Sequence, residues 1–429
     1  MAKKKASNLP FEPVSEDNEF KGAASQKKIV AFRGDSKLDE EALRAHLAAV
    51  LRLEHIGVLL GAGASVGMGG MTIQTLWEKF TTEFEDSFET LKDHGFVDGK
   101  TPNLEQVMDD LQIAILDAAR RDADEKEDLV AAQLDLRRTV VAASLLQQDY
   151  WEDPLKVRDI PTKLQDHCQL LQKIRGARQP GQAAPWIFTP NYDLAIEWAA
   201  EAVGLEVMNG FRGLHNRTFS PHAFDLGLRN TLARGEARFG CYEVYLAKLH
   251  GSLTWIASND DCVVEKSGEA LWQKIREFRD GSEDDFGQEM VFPSAAKYMQ
   301  TVGFVLGELF RRFTEFLNRP QTALIVNGYS FCDDHLNRII LSALQNPTLS
   351  LVVYAPVADI GEDGPEVSDE YKSLQRLIAL KSPQVTIVGG CPRACFNNLV
   401  VDLPDPAIFD ERSAEIAKMI REMKGGTNA

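Results

Sequence analysis

The chain has 429 residues, with 47 Lys and Arg against 64 Asp and Glu, for a formal net charge of -17. That acid excess excludes a nucleic-acid footprint spread over the whole chain and favours solubility. Hydrophobic residues at 44% and charged residues at 26% exclude the disordered, collagen-like and disulfide-scaffold classes. The length suits roughly two or three domains, or one large α/β domain with an insertion. Of the cysteines Cys168, Cys241, Cys262, Cys332, Cys391 and Cys395, only the last two lie close together, as C-x3-C with no second pair. Neither a disulfide framework nor a four-cysteine zinc module is written in that spacing.

In chain order, residues 1–38 are polar, mixed in charge and without period, which predicts a flexible N-terminal tail. Lys3, Lys4 and Lys5 precede no apolar run of signal-peptide length, so the expected location is cytoplasmic. Leu38 to Leu53 predicts a helix, with Leu43, Leu47, Val50 and Leu51 on one stripe. Ile56 to Trp77 carries no charge and is long enough to span a bilayer, but six glycines interrupt it. It reads instead as a strand, Ile56 to Leu60, followed by a glycine loop, and no membrane association is expected.

Apolar residues at three- and four-residue spacing then run through Thr75 to Leu91, Leu104 to Arg120, Glu125 to Gln148 and Pro161 to Ile174. This predicts a helical insertion, 77–175, whose charges lie on solvated faces. Short apolar runs return at Trp186 to Phe188, Val244 to Leu249, Ala323 to Val326, Leu351 to Tyr354 and Val385 to Val388. Each is bounded by Gly, Pro, Asn or Ser, the signature of buried strands. Helical patterns follow at Tyr192 to Val203, Leu336 to Leu344 and Tyr371 to Leu380. The alternation predicts an α/β fold, a parallel sheet with helices on both faces. The tail 401–429 carries one more amphipathic pattern, Ala414 to Lys424.

Four motifs follow predicted strands. Gly61-Ala62-Gly63-Ala64-Ser65 permits a tight turn and close approach to a pyrophosphate, or is a glycine turn with no ligand. Thr189-Pro190-Asn191-Tyr192-Asp193 places polar side chains at a strand's carboxyl end, for binding or for capping the next helix. His250, followed by Gly251, either titrates near neutral pH as a general base or is satisfied in the core. Asn327-Gly328-Tyr329-Ser330 offers close backbone approach and a hydroxyl, and runs through Asp333 and Asp334 into a helix.

The series G-A-G-A-S, T-P-N-Y-D, H-G and G-Y-S resembles the sirtuin family over about residues 50–390. The resemblance implies a Rossmann-like NAD-binding domain, residues 39–76 and 176–400, which cleaves the nicotinamide–ribose bond of NAD+. Gly61, Ala62, Gly63, Ala64 and Ser65 would cradle the pyrophosphate, with Thr189 and Gly251 beside the ligand. Asn191 and Asp193 would line the nicotinamide and ribose pocket, His250 would be the catalytic base, and Gly328 and Ser330 would contact the adenosine half.

Departures from the deacylase sirtuins narrow the resemblance. The four-cysteine zinc module is missing, so no zinc is expected, and Gly70 to Trp77 replaces the Pro-x-Phe-Arg element. Pro190 stands where those proteins have Gln, and helices fill the long interval between Gly61 and Asn191. These features are similar to the sirtuin-like NAD+ hydrolases of bacterial antiphage systems, which deplete NAD+ as large homo-oligomers or with a HerA-type ATPase. The expected reaction is NAD+ hydrolysis to nicotinamide and ADP-ribose. A silent NAD+ or ADP-ribose sensor, a scaffold subunit and a lysine deacylase are the alternatives.

Overall fold

Residues 28–405, apart from 98–102, 147–161, 180, 230, 233–242, 259–261 and 283–298, are described by the computed structural model. In chain order the strands are β1 (Ala31–Arg33), β2 (Ser36–Leu38), β3 (His55–Leu60), β4 (Trp186–Thr189), β5 (Glu206–Met208), β6 (Phe211–Arg212), β7 (Arg217–Phe219) and β8 (Glu243–Lys248). They continue with β9 (Trp255–Ser258), β10 (Cys262–Glu265), β11 (Thr322–Asn327), β12 (Ser350–Ala355), β13 (Asp359–Ile360), β14 (Pro365–Glu366) and β15 (Val385–Gly389). Nine of them form the central sheet, in the order β2-β1-β15-β12-β11-β3-β4-β8-β5. Every pairing from β15 across to β5 is parallel. The six apolar runs read from the sequence are its centre, each within a residue or two of its expected bounds.

Alternation along these strands divides the core between the two faces. Ile56, Val58 and Leu60 of β3 enter one apolar cluster with Ile325 and Val352, while Leu59, Leu324, Val326 and Val353 enter the other. This is the period-2 burial of a strand covered on both sides. The insertion packs onto the first face. Its helices Ile73–Glu83, Leu104–Arg121, Lys126–Ser144 and Gln165–Gly176 supply Phe80, Leu111, Leu136 and Leu171 to the same cluster as β3. Helix Met299–Asn318, which the sequence reading did not anticipate, covers the second face with Leu309, Phe313 and Phe316.

Three expectations need correction. The polar tail does not extend to residue 38, because β1 and β2 form a hairpin that adds an antiparallel edge to β15. Ala31 and Phe32, facing Val388 and Ile387 in register, are apolar enough to be buried there. The segment Thr75 to Leu91 is two helices, Ile73–Glu83 and Glu85–Asp93, which part at Phe84 (φ -130, ψ 61). A separate antiparallel sheet, β6-β7-β10-β9, also stands beside the parallel one. The pattern Ala414 to Lys424 lies outside the described residues. Among the described residues no helix is long and apolar enough to cross a membrane.

Candidate functional site

Strands β11, β3, β4 and β8 are consecutive neighbours and parallel, so the loops that follow them all leave from one edge of the sheet. The carboxyl edge of a parallel sheet is where such folds place ligands. All four motifs singled out in the sequence lie on these four loops.

After β3, residues Ala62–Met68 wind into a 3-10 turn instead of an open loop. The N–H of Gly61 donates to Asn327 O at 3.0 Å, that of Gly63 to Gly328 O at 2.9 Å and that of Ala64 to Gly61 O at 3.0 Å. A Cβ on Gly63 would lie 2.7 Å from Gly328 Cα, and one on Gly328, at φ +68, only 2.3 Å from Ala64 N. Gly61, Gly63 and Gly328 are therefore demanded by two backbones crossing, and three N–H groups expected to face a pyrophosphate are bonded within the chain. The glycine signal was sound, but the close approach it permits is between loops.

The loop after β4 carries the densest polar network. Thr189 Oγ1 donates to Leu60 O at 2.7 Å and accepts from Asn191 N at 3.0 Å. The Asn191 side-chain amide donates to Gly61 O at 3.1 Å and to Ser65 Oγ at 3.2 Å. Ser65 Oγ in turn donates to Asp193 Oδ2 at 2.7 Å, and Asp193 Oδ1 accepts from Ala195 N at 3.1 Å. Both N–H groups of the Asn191 amide are thus engaged, and its remaining capacity toward a ligand is the acceptor Oδ1. Asp193 bonds the first N–H of the helix Ala195–Val203 from one residue before its N-cap, Leu194, and also holds Ser65.

Ser65, Thr189, Asn191 and Asp193 line one narrow cavity together with two residues the sequence reading passed over, His167 and Glu197. His167 comes from the last helix of the insertion, is 2% exposed, and its Nδ1 has no hydrogen-bond partner among the described residues. Burial pulls its imidazole down to about 4, against the nearby Asp193 carboxylate, which pulls the other way. A roomier cavity lies at the amino end of β15, between Gly34, Asp35, Lys381 and Val385. It is at the wrong end of the sheet for the four loops, and its Lys381–Asp35 pair at 3.0 Å is exposed.

Two buried pairs follow β8. Lys248, 1% exposed, donates to Tyr192 O at 3.2 Å, to Asp193 O, and to Glu197 Oε1 at 3.0 Å. Burial raises the Glu197 carboxyl, and the Lys248 ammonium acts against that rise. His250 Nε2 lies 3.2 Å from Asp333 Oδ2, and Asp333 Oδ1 accepts from the N–H groups of His335 (2.8 Å) and Leu336 (3.2 Å). Burial alone would raise the Asp333 carboxyl, but the hydrogen bond and charge of His250 and the two N–H groups outweigh it and hold it below the usual range. Gly251, at φ +112, turns the chain after His250. Ser330 is half-buried, and its carbonyl accepts from Cys332 Sγ at 3.7 Å.

The loops are tied pairwise into a closed ring. Ser65 and Asn191 join β3 to β4, and Lys248 with Leu253 N (3.1 Å to Tyr192 O) joins β4 to β8. His250 and Asp333 join β8 to β11, and Gly63 and Gly328 join β11 back to β3. Lys248, Glu197 and His167 were passed over in the sequence, and Asp333 was read there only as leading into a helix. Lys248 stands two residues before His250 and is the one a strand-end reading could have found. Among the described residues no group of three or more His, Cys, Asp or Glu is placed to hold a metal ion. Comparison with family models gives no match to this chain, and comparison with curated proteins gives none either.

Proposed function

We propose that the chain hydrolyses NAD+ at the nicotinamide–ribose bond, releasing nicotinamide and ADP-ribose, in the manner of the sirtuin-like antiphage hydrolases it resembles. The observation that carries this reading is the ring of four strand-end loops, which gathers Ser65, Asn191, Asp193 and His250 at one edge of the sheet. The strand order β8-β4-β3-β11-β12-β15, reversing direction at β3, also supports a Rossmann-like dinucleotide site, because such sheets bind ligand at that reversal.

The chemistry asks little of the protein. As the C–N bond breaks, its electron pair leaves with nicotinamide and an oxocarbenium-like ribose remains, to which water adds. Asn191, with both amide N–H groups spent, presents Oδ1 to a ribose hydroxyl or to that water. His250 takes the proton that the adding water releases. By the same resemblance the protein works in the cytoplasm as a homo-oligomer or beside a HerA-type ATPase.

The test is incubation of the purified chain with NAD+ and no acylated peptide. Nicotinamide and ADP-ribose are expected from the wild type, and none from His250→Ala or Asn191→Ala. Turnover at the wild-type rate in either variant removes that residue from the mechanism. Bound NAD+ with no release from the wild type would replace the hydrolase reading with that of a sensor.

A further inference from the structure

His250 is joined to a carboxylate that the sheet does not place beside it. Strands β8 and β11 are separated by β4 and β3, three strand spacings or roughly 14 Å at the hydrogen-bonding distance of a sheet. The His250–Asp333 contact of 3.2 Å therefore reaches over the ends of β3 and β4. Both side chains are buried, at 10% and 7% exposure. Asp333 is itself anchored, because Oδ1 caps the helix Asp334–Ala343 through two N–H groups and leaves Oδ2 facing the imidazole. An ionised carboxylate only accepts, so the nitrogen facing it carries the proton.

We propose that Asp333 is the positioning residue for His250: it fixes the ring's orientation and keeps the proton on Nε2, so that the neutral imidazole is the Nε2–H tautomer. The consequence for turnover rests on the hydrolase reading, whereas the tautomer does not. Asp333→Asn is the discriminating substitution. Asn is nearly as good a helix cap as Asp and has the same shape. Its single oxygen is needed by His335 and Leu336, so its NH2 faces His250 and forces Nε2 to accept. The imidazole then changes to the Nδ1–H tautomer, a swap that costs about 10⁴-fold where it has been made in a serine-protease triad.

The experiment is long-range ¹⁵N–¹H correlation of histidine-labelled protein at a pH where His250 is neutral, assigned with His250→Gln, alongside nicotinamide release. Nε2–H in the wild type and Nδ1–H in Asp333→Asn, with turnover down by about 10²–10⁴-fold and the fold intact, is the expected result. Nδ1–H in the wild type overturns the proposal without recourse to any variant. The expected tautomers together with wild-type turnover in Asp333→Asn would also overturn it, as far as the reaction is concerned. The expected tautomers with no nicotinamide from the wild type would leave the positioning role standing and sink the hydrolase reading instead.

Discussion

Lys248 and His250 leave the end of the same strand, both nearly sealed from solvent and each against a carboxylate, at 3.0 Å from Glu197 and 3.2 Å from Asp333. Their partners differ in kind. Lys248 spends its three donors within one short stretch, on two backbone carbonyls of the Tyr192–Asp193 corner and on Glu197 one turn into the following helix. His250 reaches across the sheet edge to Asp333, the N-cap residue of the helix that follows β11, three strands away. The first pair fixes the Tyr192–Asp193 corner, beside Asn191. The second holds a group able to gain and lose a proton without leaving its hydrogen bond. Local anchoring builds the crevice, and an imidazole held across it is available for acid–base chemistry.

The largest effect should come from breaking the local pair. Lys248→Met leaves Glu197 buried without its cation and frees two carbonyls, so urea denaturation should show a loss of about 3–5 kcal/mol. Adding Glu197→Leu should recover part of it by removing the stranded carboxyl. If the double variant is no better than the single one, the loss belongs to the Tyr192 and Asp193 carbonyls and the ion pair is incidental.

Acid should sharpen the same contrast through His167. Its folded pKa, about 4, lies below the ordinary 6.5, so between these values the unfolded chain binds the proton and the fold does not. Stability should fall as pH drops through that window. His46, lowered mainly by burial and then by Arg33, adds to the loss, while Glu197, raised by burial, works against it. Asp333, held low, contributes stability that is lost only at still lower pH. His167→Phe keeps a ring against Phe396, at 4.5 Å in the wild type, and should flatten the wild-type slope between pH 6.5 and 4. An unchanged slope would move the acid sensitivity elsewhere.

Removing the titrating partner should cost the fold less. His250→Ala leaves Asp333 with two helix N–H groups, so about 1–2 kcal/mol is expected, with nicotinamide release abolished. A loss as large as that of Lys248→Met would erase the distinction between the pairs.

What could be read beforehand follows the same division between local and distant causes. The central strands were legible because runs such as Leu351 to Tyr354 are buried on both faces and therefore continuously apolar. Glu206–Met208 and Arg217–Phe219 were not, since short half-exposed strands are decided by the neighbour they find. The site shows it more sharply. Asn191, Asp193 and His250 announce themselves beyond strand ends, but Asp333 reads only as a helix cap until the sheet order brings β11 within reach of His250. His167 lies in a segment whose period reported a helix correctly and could not report which core that helix would face. Gly61 and Gly63 were recognised as sites of close approach, yet nothing local distinguishes a phosphate from the backbone of Gly328.

The smallest effect expected tests a link with no charge. Ser65 Oγ passes one hydrogen bond along the chain Asn191–Ser65–Asp193, and Ser65→Ala leaves one Asn191 N–H and one Asp193 lone pair to find other partners. Each residue keeps a second anchor, Gly61 O for Asn191 and Ala195 N for Asp193, so the loop stays in place and the cost should be about 1 kcal/mol. Orientation is more sensitive than stability, because one anchor lets the Asn191 amide rotate where two do not. Nicotinamide release should therefore fall by about 10- to 100-fold while the urea midpoint barely moves. A loss of several kcal/mol would place Ser65 with Lys248 as part of the architecture. Undiminished turnover would mean that Gly61 alone orients Asn191, and that the Ser65 link serves only to fasten the loop after β3 to Asp193 at the start of the next helix.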